Sequence, residues 1–172
     1  MARKAQTIFV QIASYRDPEL VKTIEDMLKN AKRPQNLVLG ICRQYHPEDG
    51  FDNLDKYRDD KRFRISDILY TDAKGVCWAR NHVQQLYGGE TYTLQIDSHM
   101  RFAPNWDTEL IKMIKDLQKM GIPKPLLTGY VSSYDPDNDP NGRVKEPWRM
   151  VFDRFIPEGA VFFLPETIPN WK

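Results

Sequence analysis

The chain is poor in the residues that carry the commonest covalent and metal chemistries. Of its 172 residues only two are cysteine and three are histidine. Cys42 and Cys77 make no disulfide scaffold, and both lie in apolar stretches, as reduced intracellular thiols do. Neither Cys77 nor His82 has Cys or His partners at zinc-binding spacing, which argues against a structural zinc. No run of about 18 apolar residues occurs, so no membrane-spanning helix is expected. The opening Met-Ala-Arg-Lys-Ala-Gln has no apolar signal region and leads straight into a strand-like run. Charge of one sign is lacking too: 25 Lys and Arg stand against 24 Asp and Glu, a net charge of +1. A general nucleic-acid binder would show a strong basic excess. The dinucleotide fingerprint Gly-x-Gly-x-x-Gly, the Gly-Lys-Ser/Thr end of a phosphate loop and the Gly-x-Ser-x-Gly elbow are all absent. So are internal repeats, low-complexity tracts and any shift in composition that would mark a second domain.

What is there reads as one globular domain over residues 1–172, 41% hydrophobic and 28% charged. At this length about 70% of the unfolded surface can be buried. Residues 7–13 form a β-rich run suited to burial on both faces. Asp17 and Pro18 then read as a helix start, with Asp17 as capping carboxylate and Pro18 at the first helical position. Leu20, Val21, Ile24, Met27, Leu28 and Ala31 share one helical stripe. Residues 37–42 are a second buried strand, which completes a βαβ unit. Residues 45–61 read as a long surface loop. Further expectations are a short strand over 63–70, a helix over 77–87 with Ala79, Val83 and Leu86 inward, and a strand over 91–96 ending in Asp97. A helix capped by Asp107 should carry Leu110, Ile111, Ile114, Leu117 and Met120 on one face and close at Gly121. Strands are expected over 126–131, 150–156 and 160–164, the last two joined by a Pro-Glu-Gly turn. The alternation predicts an α/β fold with a mainly parallel central sheet flanked by helices.

Open sheets of this kind bind ligands at the carboxyl ends of their strands. Two ends stand out. Ser14-Tyr15-Arg16-Asp17 offers a hydroxyl, an aromatic face and a guanidinium beside a helix start, which suits phosphate. The same residues also suit an ordinary capped helix with exposed neighbours. Asp97-Ser98-His99 delivers a carboxylate and, two residues on, an imidazole. Strand alternation would point Asp97 and His99 one way and Ser98 the other. Oxygen plus imidazole nitrogen suits manganese or another divalent cation, although two ligands alone also suit a hydrogen-bonded histidine near a turn. In Lys74-Gly75-Val76-Cys77-Trp78-Ala79-Arg80-Asn81, Gly75 can open a helix against a ligand with Arg80 one turn in. Asp137-Asn138-Asp139-Pro140-Asn141-Gly142 matches half of a calcium loop, but Trp148 stands where the bidentate Glu is needed, so a plain Asx/Pro turn is favoured. Cys42 and Trp106 are expected in the core, and His46 and His82 as ordinary histidines.

Taken together, Ile-Phe-Val-Gln-Ile-Ala-Ser-Tyr-Arg-Asp-Pro-Glu-Leu, Ala-Lys-Gly-Val-Cys-Trp-Ala-Arg-Asn and Tyr-Thr-Leu-Gln-Ile-Asp-Ser-His-Met-Arg-Phe, followed by Asn-Trp-Asp, carry a resemblance from residue 8 to about 134. In order and spacing they resemble the cytoplasmic N-acetylglucosaminyltransferases that modify protein hydroxyproline. Asp-Ser-His occurs as well in the polypeptide N-acetylgalactosaminyltransferases, which share the GT-A fold. The resemblance implies a GT-A, Rossmann-like fold, a cytoplasmic location, a UDP-sugar donor (UDP-GlcNAc above all), a protein or glycan hydroxyl acceptor and transfer with retention. It implies that Ser14, Tyr15 and Arg16 hold the uridine side. Gly75, Arg80 and Asn81 would complete the nucleotide pocket, with Asp97 also against the nucleotide sugar. Asp97 and His99 would bind Mn2+ across the diphosphate. It also implies a further segment that builds the acceptor side and adds a histidine ligand. His99 is the last histidine here, so either another group or water would complete the metal, or the chain would be a nucleotide-binding part, a minimal form or one without full activity. Two other readings are a UDP-sugar-binding module without transfer and a nucleotidyltransferase. The second would need a Gly/Lys-rich triphosphate loop that is not present.

Overall fold

A computed structural model describes residues 6–170. The opening residues on which the absence of a signal region rests lie almost wholly outside that range. Two compact units divide the chain, Met1–Met113 and Ile114–Lys172.

The first unit is built on four strands: β1 (Ile8–Tyr15), β2 (Leu37–Tyr45), β3 (Phe63–Leu69) and β4 (Tyr92–Asp97). They form one sheet in the order β3-β2-β1-β4, every pair parallel. The expected mainly parallel sheet flanked by helices is therefore the one observed. Helix α1 (Leu20–Asn30) connects β1 to β2, and α2 (Val76–Gln84) connects β3 to β4. Side-chain alternation sends β1 and β2 residues to two cores. Ile8, Val10, Ile12, Leu37, Leu39 and Ile41 pack with Leu20, Ile24 and Met27 of α1 on one face. Phe9 and Cys42 pack with Ala79 and Val83 of α2 on the other. Gly40 is needed on this second face. A Cβ there would lie 2.4 Å from the ring of Phe9, too close for two carbons.

Several local expectations change. Helix α1 starts at Leu20 with Glu19 as its flanking residue, so Asp17 is not its cap and Pro18 is not its first residue. The 45–61 segment is not simply surface: Asp52 and Leu54 are fully buried. Leu54 joins the α1-side core, and Asp52 meets Arg43 of β2 at 3.0 Å. Cys77 is exposed, because it lies in the first turn of α2 on the side away from Ala79 and Val83.

Helix α3 (Trp106–Lys119) runs across the division between the units. Trp106 packs in the core as expected and donates its indole N–H to the Met27 carbonyl at 3.0 Å. Asp107 lies inside the first turn rather than at the cap. It accepts the backbone N–H groups of Lys32 and Arg33 at 2.7 and 2.9 Å, which ties the chain after α1 to α3. Gly121, at φ +90, closes the helix. Met120 is exposed, so the apolar stripe does not extend to the last turn.

In the second unit, residues 126–131 form no strand, and Leu126, Tyr130 and Val131 stand exposed. An apolar run without a hydrogen-bonding neighbour has no ladder to join. β5 (Trp148–Phe155) and β6 (Val161–Thr167) form the expected antiparallel hairpin, with the Pro-Glu-Gly turn between them. The Asp137–Gly142 segment is a turn: Asp135 accepts the Asp137 N–H at 3.0 Å, and Asp139 pairs with Arg143.

Candidate functional site at the sheet switch point

The strand order reverses at β1. The chain moves from β1 to β2 and β3 on one side, then returns to place β4 on the other. The crevice outside the carboxyl ends of β1 and β4 is where such sheets take ligands. Register brings Ala13 opposite Asp97, so Tyr15-Arg16-Asp17 and Asp97-Ser98-His99 leave the sheet side by side.

The residues after β4 are pinned to α1. Buried Thr23 donates its hydroxyl to the Ser98 carbonyl at 2.8 Å and accepts the Met100 N–H at 2.9 Å. Phe102 donates its N–H to Asp26 at 2.7 Å, and Arg101 donates to Glu19. Four contacts over five residues fix this turn before any ligand arrives.

Strand alternation stops at Asp97, and side-chain directions change there. Ser98 and His99 do not diverge: both reach one oxygen of Asp17. Ser98 Oγ donates to Asp17 Oδ2 at 2.6 Å, and His99 Nδ1 lies 2.8 Å from the same atom. Asp17 Oδ1 accepts the Glu19 N–H at 2.9 Å. Burial opposes ionisation of Asp17, but the hydrogen bonds from Ser98, His99 and Glu19 outweigh it and hold the carboxyl below its ordinary value. Asp17 was legible in the sequence only as a helix cap. Its place at the end of β1, level with the Asp-Ser-His turn, needed the strand register.

Asp97 points to α2. Its Oδ1 accepts from Arg80 at 3.1 Å, and its other oxygen has no partner among the described residues. Arg16, in the left-handed region at φ +46, pairs with Asp49 at 2.7 Å and lies 5.5 Å from the centre of the Tyr70 ring. The Asp49 hydrogen bond raises the Arg16 guanidinium further, and Arg16 in turn lowers the Asp49 carboxyl. Tyr15 is exposed. Ser14 is buried, and its Oγ has no hydrogen-bond partner among the described residues. Gly75 precedes α2 at φ +91, with open space where a Cβ would be, and Asn81 is exposed on that helix. The structure thus brings Asp97 to Arg80, and His99 to Asp17, while Arg16 is engaged with Asp49.

Beside these residues, at the ends of β2 and β3, lies a cleft of about 550 Å³. Its walls include Tyr45, Asp67, Leu69, Asp72, Lys74 and Trp78. The Lys74 ammonium sits 5.9 Å from the Trp78 ring centre. Aromatic faces with both charges at hand suit a planar, hydrogen-bonding group such as a nucleobase.

The described residues contain no group of three or more His, Cys, Asp or Glu side chains that could hold a metal. The two donors expected from sequence still fit a divalent cation chemically. Asp97 has an unengaged oxygen, and His99 presents its other ring nitrogen away from a carboxylate, the common arrangement of a metal-bound histidine. Among the described residues no helix is long and apolar enough to cross a membrane.

A parallel central sheet flanked by helices, with an acidic strand end at its switch point, is consistent with a GT-A-like, Rossmann-like fold. The chain belongs to the Glycosyltransferase (GlcNAc) family, whose model matches residues 7–61 and 51–172. Among solved structures it is similar to the crystal structure of S. aureus TarS, at TM-score 0.52 and 14% identity, over 65% of this chain and 20% of that one. It is similar as well to S. aureus TarS 1-349, at TM-score 0.52 and 14% identity, over 64% and 32% of the two chains. At that identity the likeness is one of fold. The chain spans well under two thirds of either structure. No curated protein matches it.

Proposed function

We propose that this chain is the nucleotide-sugar-binding part of a divalent-cation-dependent glycosyltransferase, a single GT-A-like domain over residues 1–172. Its donor is a UDP-sugar, UDP-N-acetylglucosamine by the sequence resemblance, with GlcNAc the sugar in the family's description. Its acceptor is a protein or glycan hydroxyl, and transfer retains configuration in the cytoplasm. One observation carries the reading: Asp97 and Arg80 meet at 3.1 Å beside His99 at the switch point, where a diphosphate would lie.

In this reading Asp97 and His99 hold the cation. A cation held there offsets the charge that gathers on the departing UDP. Arg80 already stands against the acidic strand end and supplies a forked donor for phosphate oxygens. Arg16, level with the same crevice, is the second guanidinium and exchanges Asp49 for phosphate. Tyr15 and the cleft beside Tyr45 and Trp78 take the uridine, with Ser14 supporting the end of β1 from beneath. Gly75 and Asn81 bound the pocket at the start and outer side of α2.

Calorimetric titration of UDP with and without Mn2+ tests this. Binding should require the metal and weaken at least tenfold in Asp97→Ala. Metal-independent UDP binding, no binding, or unchanged binding in Asp97→Ala would overturn it.

A further inference from the structure

We infer that Asp17 is a positioning residue for His99. It holds the ring as the Nδ1–H tautomer, so that the Nε2 lone pair faces the switch-point crevice. This inference rests on the proposed function only for what Nε2 then binds.

Hydrogen-bond capacity at Asp17 assigns the proton. Asp17 Oδ2 already accepts from Ser98, and Oδ1 accepts from the Glu19 N–H. A carboxylate in this setting can only accept, so the proton in the 2.8 Å contact belongs to His99 Nδ1. In a neutral ring Nε2 is then left without a proton. The side chain is 61% exposed, so Nε2 is reachable, while Asp17 is 15% exposed and anchored from two elements. The carboxylate cannot follow the ring outward, and the ring is held where the anchored carboxylate sits. His46 provides a contrast inside the same unit. Its Nδ1 accepts the Glu48 N–H at 3.2 Å, so its proton sits on Nε2. Of three histidines, two are therefore assigned opposite tautomers by their local bonds.

Asp17→Asn reverses the arrangement at nearly constant shape. The amide oxygen can still accept the Glu19 N–H, but the amide nitrogen that replaces Oδ2 donates. His99 Nδ1 must then accept, and its proton moves to Nε2. Ser98→Ala removes one donor to Asp17 and leaves the carboxylate for the ring.

The test is 15N–1H correlation NMR of histidine side chains in the metal-free full chain, recorded near pH 8.5, above the ordinary imidazole range. His99 should show the Nδ1–H pattern in wild type and in Ser98→Ala, and the Nε2–H pattern in Asp17→Asn. His46 should show Nε2–H throughout. Manganese EPR in the presence of UDP should then read a 10- to 100-fold weaker Mn2+ affinity in Asp17→Asn, the usual effect of losing such a partner. An Nε2–H pattern for wild-type His99 overturns the inference even if one variant fails to fold. So does Mn2+ affinity in Asp17→Asn equal to that of a binding wild type. If wild type shows the Nδ1–H pattern but binds no Mn2+ with UDP, the positioning role stands and the glycosyltransferase reading falls.

Discussion

The buried pair of Arg43 and Asp52 gives the sharpest prediction about what holds the binding half together. Asp52 is 0% exposed and accepts from Arg43 at 3.0 Å. The guanidinium makes a second, longer contact to Asp67 at 3.3 Å and lies 4.6 Å from the centre of the Tyr45 ring. Among the described residues Arg43 Nε and Asp52 Oδ2 have no hydrogen-bond partner, so the pair is already incompletely satisfied. Removing one partner of a buried pair costs about 3–5 kcal/mol, because it leaves an uncompensated buried charge. In Asp52→Ala the Asp67 contact and the Tyr45 face remain, which puts the loss at the lower end, about 3 kcal/mol. A chain of this length loses about 2–4 °C per kcal/mol, so the melting temperature should fall by about 9 °C. Replacing both partners, Arg43→Met with Asp52→Leu, should stay within about 1 kcal/mol of wild type, since no charge is stranded. Asp67 keeps its bond to Arg58 at 2.5 Å in that variant. Urea denaturation followed by far-UV circular dichroism measures both, provided the slope is unchanged. A single variant that loses under about 1 kcal/mol, or a double variant as unstable as the single, would refute the reasoning.

Two further outcomes follow from burial and charge. A thiol-disulfide reagent at pH 8 should titrate one of the two cysteines in the native chain and both in urea. Cys77 is exposed, whereas burial, helped by the negative charge of Asp67, pushes the Cys42 thiol up to about 11; two fast thiols in the native chain would contradict this. Glu90 supplies a pH effect. Burial raises its carboxyl, but Arg64 at 2.6 Å and the Gly88 N–H at 2.9 Å outweigh that and lower it below the ordinary 4.5. A depressed folded-state value means that its contribution is complete above about pH 4.5 and is lost as pH falls through the folded value. Glu90→Gln should therefore be less stable than wild type at pH 7, and the gap should narrow in acid. A gap constant from pH 7 to pH 3 would rule this out.

Much of the frame was legible because it rests on local pattern. Continuous apolar, β-rich runs at 7–13 and 37–42 suited strands covered on both faces, and the Leu20–Ala31 stripe had the helical period. Those features predicted a parallel sheet with crossover helices, and the sheet has that form. The strand expected over 126–131 failed because an apolar run is a strand only when a neighbour supplies hydrogen bonds. Burial of Asp52 and Leu54 was hidden because a polar segment gives no sign that one of its carboxylates neutralises an arginine on β2.

The sequence by itself determined the residue types of the site: an acidic strand end with an imidazole two positions on, two arginines beside helix starts, and too few cysteines and histidines for a closed metal cluster. Tertiary structure alone decided how those residues pair. Asp17 and His99 are 82 positions apart, and Arg80 and Asp97 are 17 apart. Side-chain alternation holds only while a strand lasts, and β4 ends at Asp97. Beyond that point the direction of each side chain is set by what α1 and the end of β1 present to it. That is why Asp17, which reads locally as a helix cap, becomes the partner of the histidine in the folded chain.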